Sequence, residues 1–290
     1  MNIYWETTAG ETDDVADLWD SDNWTDTPSD GDTIIVGAGA QNITGADAPA
    51  PKPASFVVGR AFDGNIGEDE LQVIGYGTGP RWVFQPGGAV RIEMDDTATA
   101  RTGDLIVVSA RGSSIELTDS RTCDDWDNGS QRNTAAIVCH SGGSVNVTQS
   151  VGAQAFTVIR ISGDTGAVVD ITGCEADTII SDGCTVYGGT ATTWHVFSGR
   201  VEPENVQVLK QYGGQTHLGR RGAVVLATFH LYGGECFADQ ATFPITWPTG
   251  PLNVYASGGE LHVPQTFALA QTGTAEATIP GGSAVTIGTV

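Results

Sequence analysis

Seven times this chain writes a Gly-Gly pair and follows it with residues that tend to alternate in polarity. The segments are PGGAVRI from Pro86, SGGSVNV from Ser141, YGGTATTW from Tyr187, YGGQTHL from Tyr212, YGGECFA from Tyr232, SGGELHV from Ser257 and PGGSAVTI from Pro280. In the C-terminal half the pairs begin at 188, 213, 233, 258 and 281, so their spacings are 25, 20, 25 and 23. A near-fixed period of this size, built from short strands, is the mark of a solenoid in which each coil buries its inner face against its neighbours. Glycine fits where a backbone must take positive φ at a tight corner, and one such corner recurs per coil. The alternation after each pair then turns Val90 and Ile92, Val145 and Val147, and Leu261 and Val263 inward.

The rest of the chain agrees. Runs such as TIIV (33–36), SFVVG (55–59), RWVF (81–84), DLIVVSA (104–110), AAIVCH (135–140) and NVQVLKQY (205–212) are short, rich in Val, Ile and Thr, and bounded by Gly, Asp, Asn or Ser. Helical periodicity is nearly absent beyond a possible turn or two around ETDDVADLW. The predicted fold is therefore all-β, a parallel, right-handed β-helix. The alternative is an antiparallel β-sandwich or jelly roll, for which Asp30-Gly31, Asp63-Gly64, Asn128-Gly129 and Asp182-Gly183 would serve as hairpin turns, although they do not recur in step with the strands.

Composition narrows the partners. Thirteen basic against 35 acidic residues give a formal net charge of -22, which argues against nucleic acid, because binding phosphates needs Lys and Arg to displace counterions. No apolar run approaches a membrane span, and the start MNIYWETTAGETDD carries neither a basic leader nor an apolar signal core, so export and membrane insertion are not expected. Five cysteines at 123, 139, 174, 184 and 236 show no pairing pattern and are expected to be reduced, buried and apolar in behaviour.

Residues 1–51 contain no Lys or Arg, while acids cluster among Trp5, Trp19 and Trp24. Residues 1–32 are expected to form a distinct N-terminal segment ahead of a β-helix body at 33–290. Such a segment could cap the open end of a solenoid with tryptophan area, or dock on a basic, partly apolar surface through Trp5, Trp19, Asp20, Asp22, Trp24 and Asp26.

Chemistry is poorly marked. The histidines at 140, 195, 217, 230 and 262 are scattered, and GxSxG, HExxH and P-loop patterns are missing. Strand histidines such as His195 and His262 are more often surface or stacked residues than ligands. No catalytic residue, cofactor or metal is expected, although the acidic loops CDDWDNGS and DLWDSDNWTD leave an incidental calcium site open. Glycan hydrolysis or lysis would need convergent carboxylates and aromatic platforms that the sequence does not place on one face.

The opening, with Asn23-Trp24, Pro28 and Gly31-Asp32 leading into Ile34, Ile35 and Val36, resembles the lead of virion-surface β-solenoids. Together with the Gly-Gly coils, the whole resembles β-helical structural proteins of tailed bacteriophages: head decoration proteins, turrets, spikes or fibres. The resemblance implies a non-enzymatic protein, assembled in the host cytoplasm, that docks on the major capsid protein or another shell protein as a symmetric homo-oligomer, a trimer or pentamer. The alternatives are a tail spike or fibre that recognises or cleaves host polysaccharide, and a leaderless surface adhesin.

Overall fold

The computed structural model describes residues 1–4, 16–17, 24–39, 42–44, 53–67, 72–75, 81–95, 104–119, 134–149, 155–238, 240–246, 253–256, 258–263 and 284–287. Among these there is no helix, and all strand pairs whose register is described are parallel. Consecutive parallel rungs without hairpins make a β-helix and exclude the sandwich. Even Ala16–Asp17, in the one stretch with a possible helical turn, is a short strand paired with Ile43–Thr44. The chain divides into two compact units, Met1–Thr157 and Val158–Val290.

In the first unit, one ladder runs through Asn2–Tyr4, Thr33–Gly39, Ser55–Phe62, Arg81–Phe84, Asp104–Ser109 and Thr134–Cys139. Its register stacks Ile3, Ile34, Phe56, Trp82, Leu105 and Ala135 as one inward row. All six are buried. Their intervals along the chain are wide and unequal, so coils here differ in the number of residues they take. A second ladder joins Ala89–Asp95, Ser114–Asp119 and Ser144–Gln149, with Val90, Ile115 and Val145 stacked and buried, and Ile92, Leu117 and Val147 likewise. Period-two patterning therefore does the folding work: every second residue enters the core and its neighbours on adjacent coils are also apolar. The predicted inward pairs at 90 and 92 and at 145 and 147 are in place, as is Leu261; the side chain of Val263 lies outside the described residues.

The second unit winds more tightly. Ile179, Trp194, Leu209 and Phe229 stack in one inward row, closely and evenly spaced in sequence up to Leu209 and more widely after it. Val186, Val201, Thr216, Cys236 and Leu261 stack in the other ladder, where the intervals likewise open out after Thr216. The residues added in the longer coils do not hang free. Val224–Val225 pairs in parallel with Ile245–Thr246, a small third ladder that buries Val224 and Leu226.

Glycine pairs do stand at corners, but the register corrects the reading of one of them. Gly199, Gly214, Gly234 and Gly259 have φ of 81, 69, 78 and 86° and lie one above another: a Cβ on Gly214 would fall 2.4 Å from the Gly199 oxygen, and one on Gly234 2.4 Å from the Gly214 oxygen. The carbonyls of Gly199, Gly214 and Gly234 each accept an amide from the next coil: Gln215 N to Gly199 O (2.8 Å), Glu235 N to Gly214 O (2.9 Å) and Glu260 N to Gly234 O (2.8 Å). Gly188 is not in this row. It pairs with Ile171 at the opposite corner, beside Thr172, so the interval from 188 to 213 spans two corner types rather than one coil. The missing corner is written Ser198-Gly199. Asp63-Gly64 and Asp182-Gly183, which could have been hairpin turns, are also corners: Gly88 packs on the Gly64 oxygen and Gly199 on Cys184 and Gly183.

The described cysteines 139, 174, 184 and 236 are buried and form no disulfide.

Candidate functional site

Outside the second unit's tight core, three aromatic rings stand in a column. Phe197, Tyr212 and Tyr232 each follow a strand end and precede a corner glycine. Their amides donate to Ser181, Val196 and Gln211 carbonyls at 2.9, 2.7 and 2.7 Å, which places them at one position on successive coils. In-register stacking of rungs about 4.8 Å apart brings equivalent rings face to face. Phe197 and Tyr212 lie 4.7 Å apart at 7°, and Tyr212 and Tyr232 lie 4.9 Å apart at 13°. The rings are nevertheless 45, 39 and 43% exposed, because their edges face solvent.

Beside them runs a polar row. His195 pairs with Lys210 and Lys210 with His230, all pointing outward between inward residues of the same strands. His195 stacks on Tyr212 at 6.0 Å, its Nδ1 lies 3.5 Å from the Tyr212 hydroxyl, and His230 has the same relation to the Tyr232 hydroxyl. Partial burial, then the Lys210 ammonium, hold both imidazoles below the ordinary histidine pKa. At neutral pH the strip is thus an amphipathic surface of ring edges, hydroxyls and neutral imidazoles with a single cation between them.

A second stack, His217, Phe237 and His262, lies on the other ladder with ring separations of 4.7 and 4.4 Å. The expectation that strand histidines are stacked residues fits His195, His217, His230 and His262 alike. Glu235 and Glu260, in register with each other, stand beside this stack, and the ligand atoms of Glu235, Glu260 and His262 lie within 4.8 Å of one another.

Corner amides of the second unit also converge on one acid. Glu204 Oε2 accepts from Gly173 N at 2.8 Å and Gly189 N at 3.0 Å, bridging two coils. Glu202 is buried and bonded by both Arg200 and Arg221, and Arg221 in turn covers the Tyr187 ring at 4.1 Å.

Of the sequence-predicted docking residues, Trp5, Trp19, Asp20 and Asp22 lie outside the described residues, as does the loop CDDWDNGS. Asp26 is exposed and accepts from Thr27 N at 2.9 Å. Trp24 is only 4% exposed, so its indole is a core group and not a docking anchor. The reason is local: Thr25 N donates to Tyr4 O and Tyr4 N to Thr25 Oγ1, which zips this segment to the first strand. Trp82 and Trp194 are buried too and offer no sugar platform. The aromatic strip went unread in sequence because its members sit on different coils, far apart along the chain; the available signal was an aromatic residue just before a corner glycine, in FSG, YGG and YGG.

No protein-family model matches the chain, and no curated protein or solved structure matches it either.

Proposed function

We propose that this chain is a non-enzymatic structural protein of a tailed-phage-type virion, a decoration, turret or spike protein that docks on shell proteins as a symmetric homo-oligomer. The observation that supports this reading is the exposed strip of Phe197, Tyr212 and Tyr232 on the β-helix of the second unit. Aligned, half-exposed aromatics on a rigid ladder are costly to leave in water and are typical of surfaces covered by a protein partner. The ring faces are turned on each other. A sugar ring needs an open aromatic face, so the strip suits the side chains of another protein better than a polysaccharide, the ligand of the tail-spike reading.

The acidic surface complements a basic shell, and Asp26 remains an exposed contributor to it. Removing residues 1–30 is a poor test, since it takes away the first rung with buried Ile3 and Trp24. Point substitution on the strip is cleaner. Light scattering of the full-length chain should give a trimer or pentamer, and a Phe197→Ser, Tyr212→Ser, Tyr232→Ser variant should fall to monomer with its β spectrum intact. A wild-type monomer would sink the symmetric assembly, and new reducing ends or unsaturated sugars released from envelope glycans would sink the non-enzymatic reading.

A further inference from the structure

We propose that Glu235, Glu260 and His262 form a binding site for a divalent transition-metal ion of the zinc class, which clamps two successive coils of the second unit. Glu235 and Glu260 are register partners on the strands Glu235–Phe237 and Glu260–Val263. Parallel register sets two carboxylates directly opposite one another, about 4.8 Å apart, where like charges repel. The coils on either side bring no cation to that column: the register partners are Gln215 before and Ala284 after.

His262 lies two residues beyond Glu260, hence on the same face. Its ring is packed flat against Phe237, 4.4 Å away at 5°, which fixes where its nitrogens aim. Nε2 is buried, has no hydrogen-bond partner, and lies 3.6 Å from Glu260 Oε2. A buried, unbonded imidazole nitrogen facing a carboxylate pair is an incomplete arrangement that a cation completes. One donor atom from each of the three residues lies within 4.8 Å of the others. Tetrahedral zinc holds its donors about 3.4 Å apart, and Glu260, with its side chain 51% exposed, has the freedom to close that difference.

Support comes from behind the ligands. Gln215 Nε2 donates to Glu235 Oε2 at 2.7 Å, orienting that carboxylate as an outer-shell partner does. One imidazole and two carboxylates suit a borderline ion with one water completing four-coordination, whereas calcium and magnesium prefer oxygen alone. This site is distinct from the acidic loops that sequence inspection raises for calcium, and it does not depend on the proposed virion role.

The test is zinc chloride titration of tag-free, full-length protein after chelator treatment, read by calorimetry, elemental analysis and thermal melting. One zinc per chain is expected, with a melting point raised by several degrees at saturation, reversed by chelator and not reproduced by calcium or magnesium. E260Q, at an exposed side chain that the fold does not need, and H262Q should each lower affinity by at least about tenfold; H140Q, an exposed histidine of the first unit, should not. Failure of the folded wild type to take up one equivalent, or unchanged affinity in E260Q and H262Q, would overturn the site.

Discussion

The two units solve the same problem with different corners. In the first, coils are long and uneven, and the interior is wide enough to hold Phe56, Trp82 and Phe84 in a ring cluster, with centroids 5.8 and 5.9 Å from Phe56. Several of its corners lean on side chains. Asn42 Oδ1 accepts from Asn65 N and Asn65 Oδ1 from Ala89 N, each at 3.0 Å, and the Ser109 and Ser113 hydroxyls meet at 2.9 Å inside a corner. A Cβ on Gly112 would meet nothing within 4 Å. In the second unit one coil already closes between Trp194 and its register partner Leu209, so backbone stacks on backbone and a Cβ at Gly199, Gly214 or Gly234 would strike a carbonyl group. Glycine at these corners is a packing requirement as well as a conformational one, whereas the first unit mixes two kinds of corner: a Cβ on Gly88 would fall 2.2 Å from the Gly64 oxygen, while Gly112 is open.

That contrast can be broken by substitution. Trp82→Ala should destabilise the first unit by about 3–5 kcal/mol through lost burial and a residual cavity. Hydrogen exchange should show protection lost from Met1–Thr157 first; an equal loss in both units would mean that the comparison between them is wrong. Gly234→Ala should cost about 2–4 kcal/mol, from positive φ and overpacking together, measured by urea unfolding. By the same measurement Gly112→Ala should cost only about 1 kcal/mol, since φ strain acts there without a clash, and equal costs would refute the account of the corners. Glu204→Ala, which strips two corner amides of a charged acceptor, should cost about 1–2 kcal/mol.

The smallest effect is in pH. His195 and His230 have folded pKa values below the ordinary 6.5, so the unfolded chain binds more protons. Stability from this source is fully present above about pH 6.5 and is lost as pH falls from there toward the folded values. Lys210→Met should flatten that loss without abolishing it, because burial, the larger cause, remains. A melting profile unchanged by Lys210→Met between neutral and mildly acidic pH would remove Lys210 from the explanation.

Much of this architecture could be read in the chain. Alternating Val and Ile after a glycine pair announced inward rows, and Val90, Ile92, Val145 and Val147 occupy them. The phase of the coils was harder. Glycine is demanded at both corners of the shortest coils, so Gly188 at one corner and Gly213 at the other look alike in sequence, and Ser198-Gly199 hid a turn by lacking the second glycine. Trp24 misled for a related reason: tryptophan serves equally to cover a core and to anchor a partner, and only the zipping of Thr25 to Tyr4 decides between them. The aromatic strip and the Glu235, Glu260 and His262 group exist only in register, a property of paired coils that no local pattern carries.

The third ladder has a consequence for how such a chain can change over time. Between His217 and Thr228, and again before Asn253, the coil lengthens while the two original ladders keep their register. The added segments pair with each other, Val224–Val225 on Ile245–Thr246, and bury apolar residues of their own. Insertions of this kind leave the two original ladders unchanged, but each needs a matching insertion in the neighbouring coil as its pairing partner. The cross-section of a coil is thereby open to gradual remodelling: a lineage can add a new side by duplicating short excursions at one corner, and its older faces continue to fold as before.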